Sequence, residues 1–129
     1  MPRRPKTPPP LHELEAEVME VVWDRGEVSI RDVMETLNAR TRRDRAYTTF
    51  LTAMRRLHAK RLLRRRREKK TDLYAPAYTR DEYARLRAEA GVAALVDEYG
   101  DAALAQFARR MSDLDPARRR ALQRLARRD

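Results

Sequence analysis

Tyr47-Thr48-Thr49-Phe50-Leu51-Thr52-Ala53-Met54-Arg55-Arg56-Leu57 is the stretch on which the fold turns. At about 100° per residue, Phe50, Ala53, Met54 and Leu57 fall on one side of a helix, while Thr48, Thr52, Arg55 and Ala59 fall on the other, flanked by Thr49 and Arg56. The outer face is hydroxyls and guanidinium groups over small side chains, and no acid occurs from Ala46 to His58. An ordinary solvated helix carries Glu and Lys there, mixed in sign. This face suits a DNA major groove, where Arg pairs with guanine edges, Thr bonds bases or phosphates, and threonine methyls touch thymine.

Upstream, Leu11, Leu14, Val18, Val21 and Val22 make one helical stripe with acidic residues opposite, predicting a helix over Leu11 to Asp24 that Gly26 stops. Ser29-Ile30-Arg31-Asp32 is an Asp-bearing form of a capping box, and Ile30, Val33, Met34 and Leu37 continue as a short helix to Asn38. A basic loop, Ala39 to Arg45, leads into the quoted helix. Downstream, Leu62 to Arg67 and Leu73 to Ala75 flank Glu68-Lys69-Lys70-Thr71-Asp72, predicting two short strands around a basic tip, although the first lacks clean alternation. Helix, helix, helix, hairpin is the order of a winged helix. A wing tipped with Lys69 and Lys70 would touch backbone beside the reading helix; alternatively the Arg64 to Lys70 run is a solvated edge strand protected by charge.

Beyond Pro76 the character changes. Thr79-Arg80-Asp81-Glu82 fits the capping box fully, and Tyr83, Leu86, Ala90 and Ala94 follow to a stop at Tyr99-Gly100. Asp101 is placed to cap a second helix with Leu104, Phe107, Ala108 and Met111. After Leu114, Asp115-Pro116 opens a third with Leu122 and Leu125 on one face. These stripes hold too little apolar volume for a core of their own. Tyr83, Leu86, Leu104, Phe107, Met111, Leu114, Leu122 and Leu125 are therefore expected to bury against a second copy of the chain, the alternative being that they fold back on the chain's own winged helix. The expected organisation is a disordered, basic, proline-rich arm over 1–10, a winged helix over 11–78 and a helical dimerisation region over 79–129.

Charge supports this division. The net charge is +10, but residues 38–70 alone carry 14 basic against 2 acidic residues, whereas residues 11–37 carry 2 against 8. Such polarity marks a polyanion-binding face, because neutralised phosphates release condensed counterions. All but four of the 30 basic residues are arginine; a codon bias explains that preference but not the clustering. With no cysteine, disulfides, thiolate metal sites and cysteine nucleophiles are excluded. His12 and His58 lack ligand spacing, and the three glycines are isolated, so no metal, cofactor or phosphate loop is expected. No nucleophile and base set surrounds the acids, which argues against an enzyme. No apolar run reaches membrane-spanning length, and no signal-peptide core follows the N-terminal basic residues, so a cytoplasmic protein without membrane insertion is expected. Trp23 and Tyr47 are aromatic enough to stack on a base, but near helix ends they more often pack.

These residues resemble the BlaI/MecI-type repressors of β-lactamase and related genes. The carriers are Leu14 to Met19 with Trp23, Ser29 to Val33, Ala46-Tyr47-Thr48-Thr49 with Arg56-Leu57 and Lys60, Leu62 to Arg65, Tyr74-Ala75-Pro76 and Arg80 to Tyr83, spanning about Leu11 to Leu125. The resemblance implies a homodimeric repressor on a palindromic double-stranded DNA operator. It places Thr48, Thr49, Thr52, Arg55 and Arg56 in the major groove and the wing from Arg65 through Arg67 to Lys69 and Lys70 on backbone, with Arg45 and Tyr47 at the helix entrance. It further implies inactivation through a membrane metalloprotease sensor, with Gln106-Phe107 at the cleavage position. The family commonly has glycine between the third helix and the wing; this chain has Arg61, so that turn must close without a left-handed glycine or in another geometry. The cysteine-rich tail of the copper-sensing branch is missing. The rival reading is a winged-helix module that binds nucleic acid non-specifically or binds a protein partner.

Overall fold

A computed structural model describes residues 3–128 and divides them into two compact units, the first running to Ala88 and the second from Glu89. In the first unit α1 (Glu13–Arg25), α2 (Ile30–Asn38) and α3 (Tyr47–Ala59) precede an antiparallel hairpin of β1 (Leu63–Glu68) and β2 (Thr71–Pro76). This is the expected winged-helix order, and α2 has the expected limits.

Each boundary has a local cause. The Gly26 amide donates to the Val22 carbonyl at 2.7 Å with Gly26 at φ +90°, a conformation that side chains resist, and α1 ends there. Ser29 and Asp32 cap α2 reciprocally: the Asp32 amide donates to Ser29 Oγ at 3.1 Å and the Ser29 amide to Asp32 Oδ2 at 2.9 Å. At the end of α3 the Leu62 amide donates to Leu57 and the Arg61 amide to His58, both at 3.0 Å, the paired bonds of a Schellman turn. Arg61 itself takes the left-handed position at φ +64°, so an arginine does what a glycine usually does. Leu57 and Leu62, both fully buried, supply the apolar contact that accompanies this turn.

The core joins Val18, Val21 and Val22 of α1, Val33 and Leu37 of α2, and Phe50, Ala53, Met54 and Leu57 of α3 to Leu62, Leu63, Tyr74 and Tyr78. Val28 adds a single-residue rung, exchanging hydrogen bonds with Tyr74 at 2.8 and 2.9 Å. In β1 only Leu63 reaches the core, while Arg64 to Glu68 are all exposed. The hairpin runs past the core into solvent, which explains why its sequence does not alternate. Lys69, at φ +56°, closes the two-residue tip.

The arm expected to be disordered is ordered over residues 3–10. Arg4 grips both Glu82 oxygens at 2.9 and 3.1 Å and donates to the Ala77 carbonyl at 2.9 Å. The Tyr78 hydroxyl donates to the Pro5 carbonyl, Tyr83 to Pro9 at 3.0 Å, and Arg87 to Pro8 at 3.2 Å. Met1, Pro2 and Asp129 lie outside the described residues. Proline-rich composition signals a chain that builds no core of its own, but here an existing surface supplies the partners.

Helix α4 (Arg80–Tyr99) starts in the first unit and ends in the second. Thr79 and Glu82 cap it as expected, at 2.9 and 3.0 Å. Tyr83 and Leu86, expected among the dimerisation residues, are half-buried against the winged-helix core, so the chain itself supplies their cover. In the second unit α5 (Asp101–Ser112) is capped by Gly100 at φ +59°, not by Asp101, which is already helical. Asp115 caps α6 (Pro116–Ala126), accepting from the Arg118 amide at 2.9 Å with Pro116 at the first helical position. Arg119 ties the intervening turn, donating to the carbonyls of Met111, Ser112 and Leu114. Ala103 is the one buried apolar residue of this unit among the described residues.

Candidate nucleic-acid interface

Three ties hold α3. Its buried stripe fixes its roll. At its far end Lys60 meets the buried Glu15 carboxylate of α1 at 2.7 Å, and the His12 amide donates to the same oxygen. Burial pushes the Glu15 carboxyl up, but the Lys60 and His12 hydrogen bonds outweigh it and hold it below the usual carboxylate range. At its entrance Asn38 clamps Arg45 by both backbone groups at 3.0 Å.

The opposite face is bare. Thr48, Thr49, Thr52, Arg55 and Arg56 are all exposed, as is Tyr47. The Thr52 hydroxyl donates back to the Thr48 carbonyl at 2.9 Å, leaving its oxygen lone pairs outward. Between the start of α2, the face of α3 and the hairpin lies a groove of about 530 Å³, lined among others by Arg31, Tyr47, Arg55, Arg65 and Lys70. Arg55, Arg56, Arg65, Lys69 and Lys70 have no acidic partner within 4.0 Å among the described residues. The groove thus brings Arg55, Arg65 and Lys70 together with Arg31 and one acid, Asp72, while Thr48, Thr49, Thr52, Arg56 and Lys69 are exposed but do not line it; this net-cationic, hydroxyl-bearing surface suits recognition of an anion with hydrogen-bonding edges.

Not every cation expected here stands without a partner of its own. Arg45 turns back to Glu17 of α1 at 3.3 Å, and its Nη1 is buried without a partner. Arg67 pairs with Asp72 and with the Lys70 carbonyl, both at 3.3 Å, bracing the hairpin from within. Its neighbour Arg66 holds Glu27 through two bonds of 2.8 and 2.6 Å and fastens the wing to the α1–α2 turn. The Glu27 hydrogen bond keeps the Arg66 guanidinium more firmly protonated than usual and the Glu27 carboxyl more acidic. Sequence reasoning missed Arg31 as a groove residue. Its place on the exposed side of the first turn of α2, next to the capping pair, was the signal available.

Trp23 packs and does not stand ready to stack: its Nε1 donates to the Tyr78 carbonyl at 2.8 Å, and its ring lies 5.5 Å from that of Tyr83. Gln106 and Phe107 sit in the middle of α5. In the second unit Leu104 and Phe107 are exposed and Leu125 is 58% exposed, while Met111, Leu114 and Leu122 are half-buried.

Comparison with known proteins agrees with this fold. The family described as penicillinase repressor matches residues 11–128. Two relatives, each a "Transcriptional regulator BlaI" from Mycobacterium tuberculosis, strains CDC 1551 / Oshkosh and ATCC 25618 / H37Rv, are 41% identical over 115 residues, covering 87% of this chain and 82% of theirs. The solution structure of the DNA-binding domain of the repressor BlaI superposes with a TM-score of 0.53 at 25% identity, covering 61% of this chain and 94% of that one. The chain belongs to the penicillinase repressor family and is a transcriptional regulator, not an enzyme.

Proposed function

We propose that this regulator represses transcription as a homodimer on a two-fold symmetric DNA operator, with one α3 in the major groove of each half-site. The observation that carries the reading is the outer face of α3, where Thr48, Thr52, Arg55 and Arg56 are exposed with no acid among them. Hydroxyls and unpaired guanidinium groups are the donors and acceptors that base edges accept, whereas a site for phosphate alone needs only charge. Lys69 and Lys70 at the wing tip then touch backbone and fix the register. Arg45 and Arg67, held by Glu17 and Asp72, serve by placing the entrance of α3 and the wing.

The second unit supports the homodimer. Val92, Leu95, Tyr99, Leu104, Phe107 and Leu125 remain exposed, which is apolar surface a second copy would cover. A place in the cytoplasm follows from DNA as the partner. Release through a membrane metalloprotease sensor at Gln106-Phe107 would require α5 to unwind first, because the bond lies inside a hydrogen-bonded helix.

The test is titration of the full chain against genomic fragments, its own promoter included, at near-physiological salt with excess competitor DNA. Recovery of two-fold symmetric sites with half-sites about one helical turn apart, or a multiple of it, is expected. Uniform binding abolished by competitor would overturn the reading in favour of a non-specific nucleic-acid or protein-interaction module.

A further inference from the structure

The ordered arm brings Arg3 to a part of the first unit that the function above does not use. Arg61 donates to the Arg3 carbonyl at 3.4 Å, and a groove of about 950 Å³ opens between the end of α3, the start of β1 and the arm. Arg3, Arg4, Arg61, Arg64 and Arg65 line it, and among the described residues no acid does. Arg4 is paired with Glu82, but Arg3, Arg61, Arg64 and Arg65 have no acidic partner within 4.0 Å among the described residues.

Several arginines of the unit are neutralised, Arg66 by Glu27, Arg80 by Glu20 and Asp24, Arg45 by Glu17, whereas those of this groove, like Arg55 and Arg56 on α3, are left without an acid among the described residues. Gathering four unpaired guanidinium groups costs electrostatic self-repulsion, which an external anion relieves. The arm is held by Arg4, paired with Glu82 and stacked 4.5 Å from the Tyr78 ring, and by the tyrosine hydroxyls on Pro5 and Pro9. Two borders connect the groove to the α3 site. Ala59 shares the outward face of α3 with Thr52 and Arg55, and Arg65 lines both grooves.

We infer that the N-terminal arm completes a second cationic groove, formed with Arg61 and Arg64, that takes the DNA phosphodiester backbone flanking the bases read by α3. Guanidinium groups suit this ligand because each can offer two parallel N–H donors to one phosphate. The inference rests on the DNA reading above and adds to it a sequence-independent contact made by a segment outside the helix-turn-helix.

The experiment is fluorescence anisotropy of a labelled random-sequence duplex of about 30 base pairs, titrated with the full chain across a salt series so that the slope of log K against log salt counts phosphates neutralised. Three proteins are compared: the native chain, the double variant Arg3→Ala/Arg64→Ala, and Arg85→Ala/Arg109→Ala, which removes the same charge from exposed positions on α4 and α5. The expected result is a slope shallower by about two for the first variant and unchanged for the second. An unchanged slope in Arg3→Ala/Arg64→Ala overturns the groove while leaving DNA binding intact. Equal loss in both variants also overturns it, since net charge alone would then account for the effect. Failure of the native chain to bind the duplex at any salt overturns the DNA reading and this inference with it. All four positions are exposed, and circular dichroism of each variant checks that the fold is retained.

Discussion

The two units of this chain are both mainly helical, yet they solve burial differently. The first closes a continuous core from Val18 to Tyr78 in which three helices, a hairpin and the Val28 rung all share side chains. The second has α5, α6 and the end of α4 well capped, by Gly100, by Asp115 and by Arg119 on three carbonyls, while Tyr99 is 57% and Leu125 58% exposed. Local signals suffice to form helices; a core requires segments distant in sequence to meet. The first unit has such meetings within one chain, and the second leaves its apolar face exposed.

The sharpest way to break this contrast is to damage each unit at its one phenylalanine. Phe50→Ala, at a fully buried position of α3, is expected to cost about 3–5 kcal/mol. Denaturant unfolding followed by circular dichroism measures it. Phe107→Ala, at a position 36% exposed, is expected to leave unfolding of the winged helix unchanged. A loss there as large as that of Phe50→Ala would mean that the second unit is not the dependent partner.

A smaller effect is expected from Leu125→Glu. Placing a charge in a dimer face forfeits about 1.5–3 kcal/mol of apolar burial, so the dissociation constant should rise at least about tenfold. Sedimentation across a concentration series reads this directly, and a mass that does not change would contradict burial of Leu125 against a second copy.

Arg61→Gly refines the account of the α3–wing turn. Removing a side chain from φ +64° relieves about 1–2 kcal/mol of strain, part of which the freer unfolded glycine chain offsets, so the net gain should be at most about 1 kcal/mol. A drop in thermal midpoint would show that the Arg61 side chain stabilises this turn by more than its backbone costs. The subtlest effect is the dependence of the arm on acid. The Arg4 hydrogen bonds, with the Thr79 amide, hold the Glu82 carboxyl down at about 2 against an ordinary 4.5. A depressed carboxyl contributes stability above its unfolded value and loses it as pH falls through the folded one, so the arm should loosen between about pH 4.5 and 2 while the α3 core persists. Protease access to the peptide bonds around Arg4 follows this; release already at neutral pH would contradict the pinned arm.

What the sequence made legible was whatever is local. The Ser29–Asp32 and Thr79–Glu82 caps, the limits of α2, the Asp115-Pro116 start and the two faces of α3 depend on neighbours within a few residues. The order of the arm is not legible because the partners of Arg4 and Arg87 lie 78 and 79 positions away. Composition cannot show such a meeting. For the same reason the sequence does not distinguish Arg45 and Arg67 from their unpaired neighbours: charge counting does not reveal that Glu17 faces one, nor that hairpin register sets Asp72 opposite the other. Tyr83 and Leu86 looked like part of a dimer stripe because an apolar helical spacing gives a face but not what covers it.

The central claim, that α3 reads bases while the wing only holds backbone, is tested most directly by comparing Arg55→Ala with Lys69→Ala on a recovered operator and on random DNA of the same length. The account predicts that Arg55→Ala lowers operator affinity by about 1–3 kcal/mol and relaxes sequence preference, whereas Lys69→Ala weakens both duplexes alike and reduces the salt slope by about one. Equal, sequence-independent losses from both substitutions would contradict it, leaving α3 as a cationic surface and not a reader.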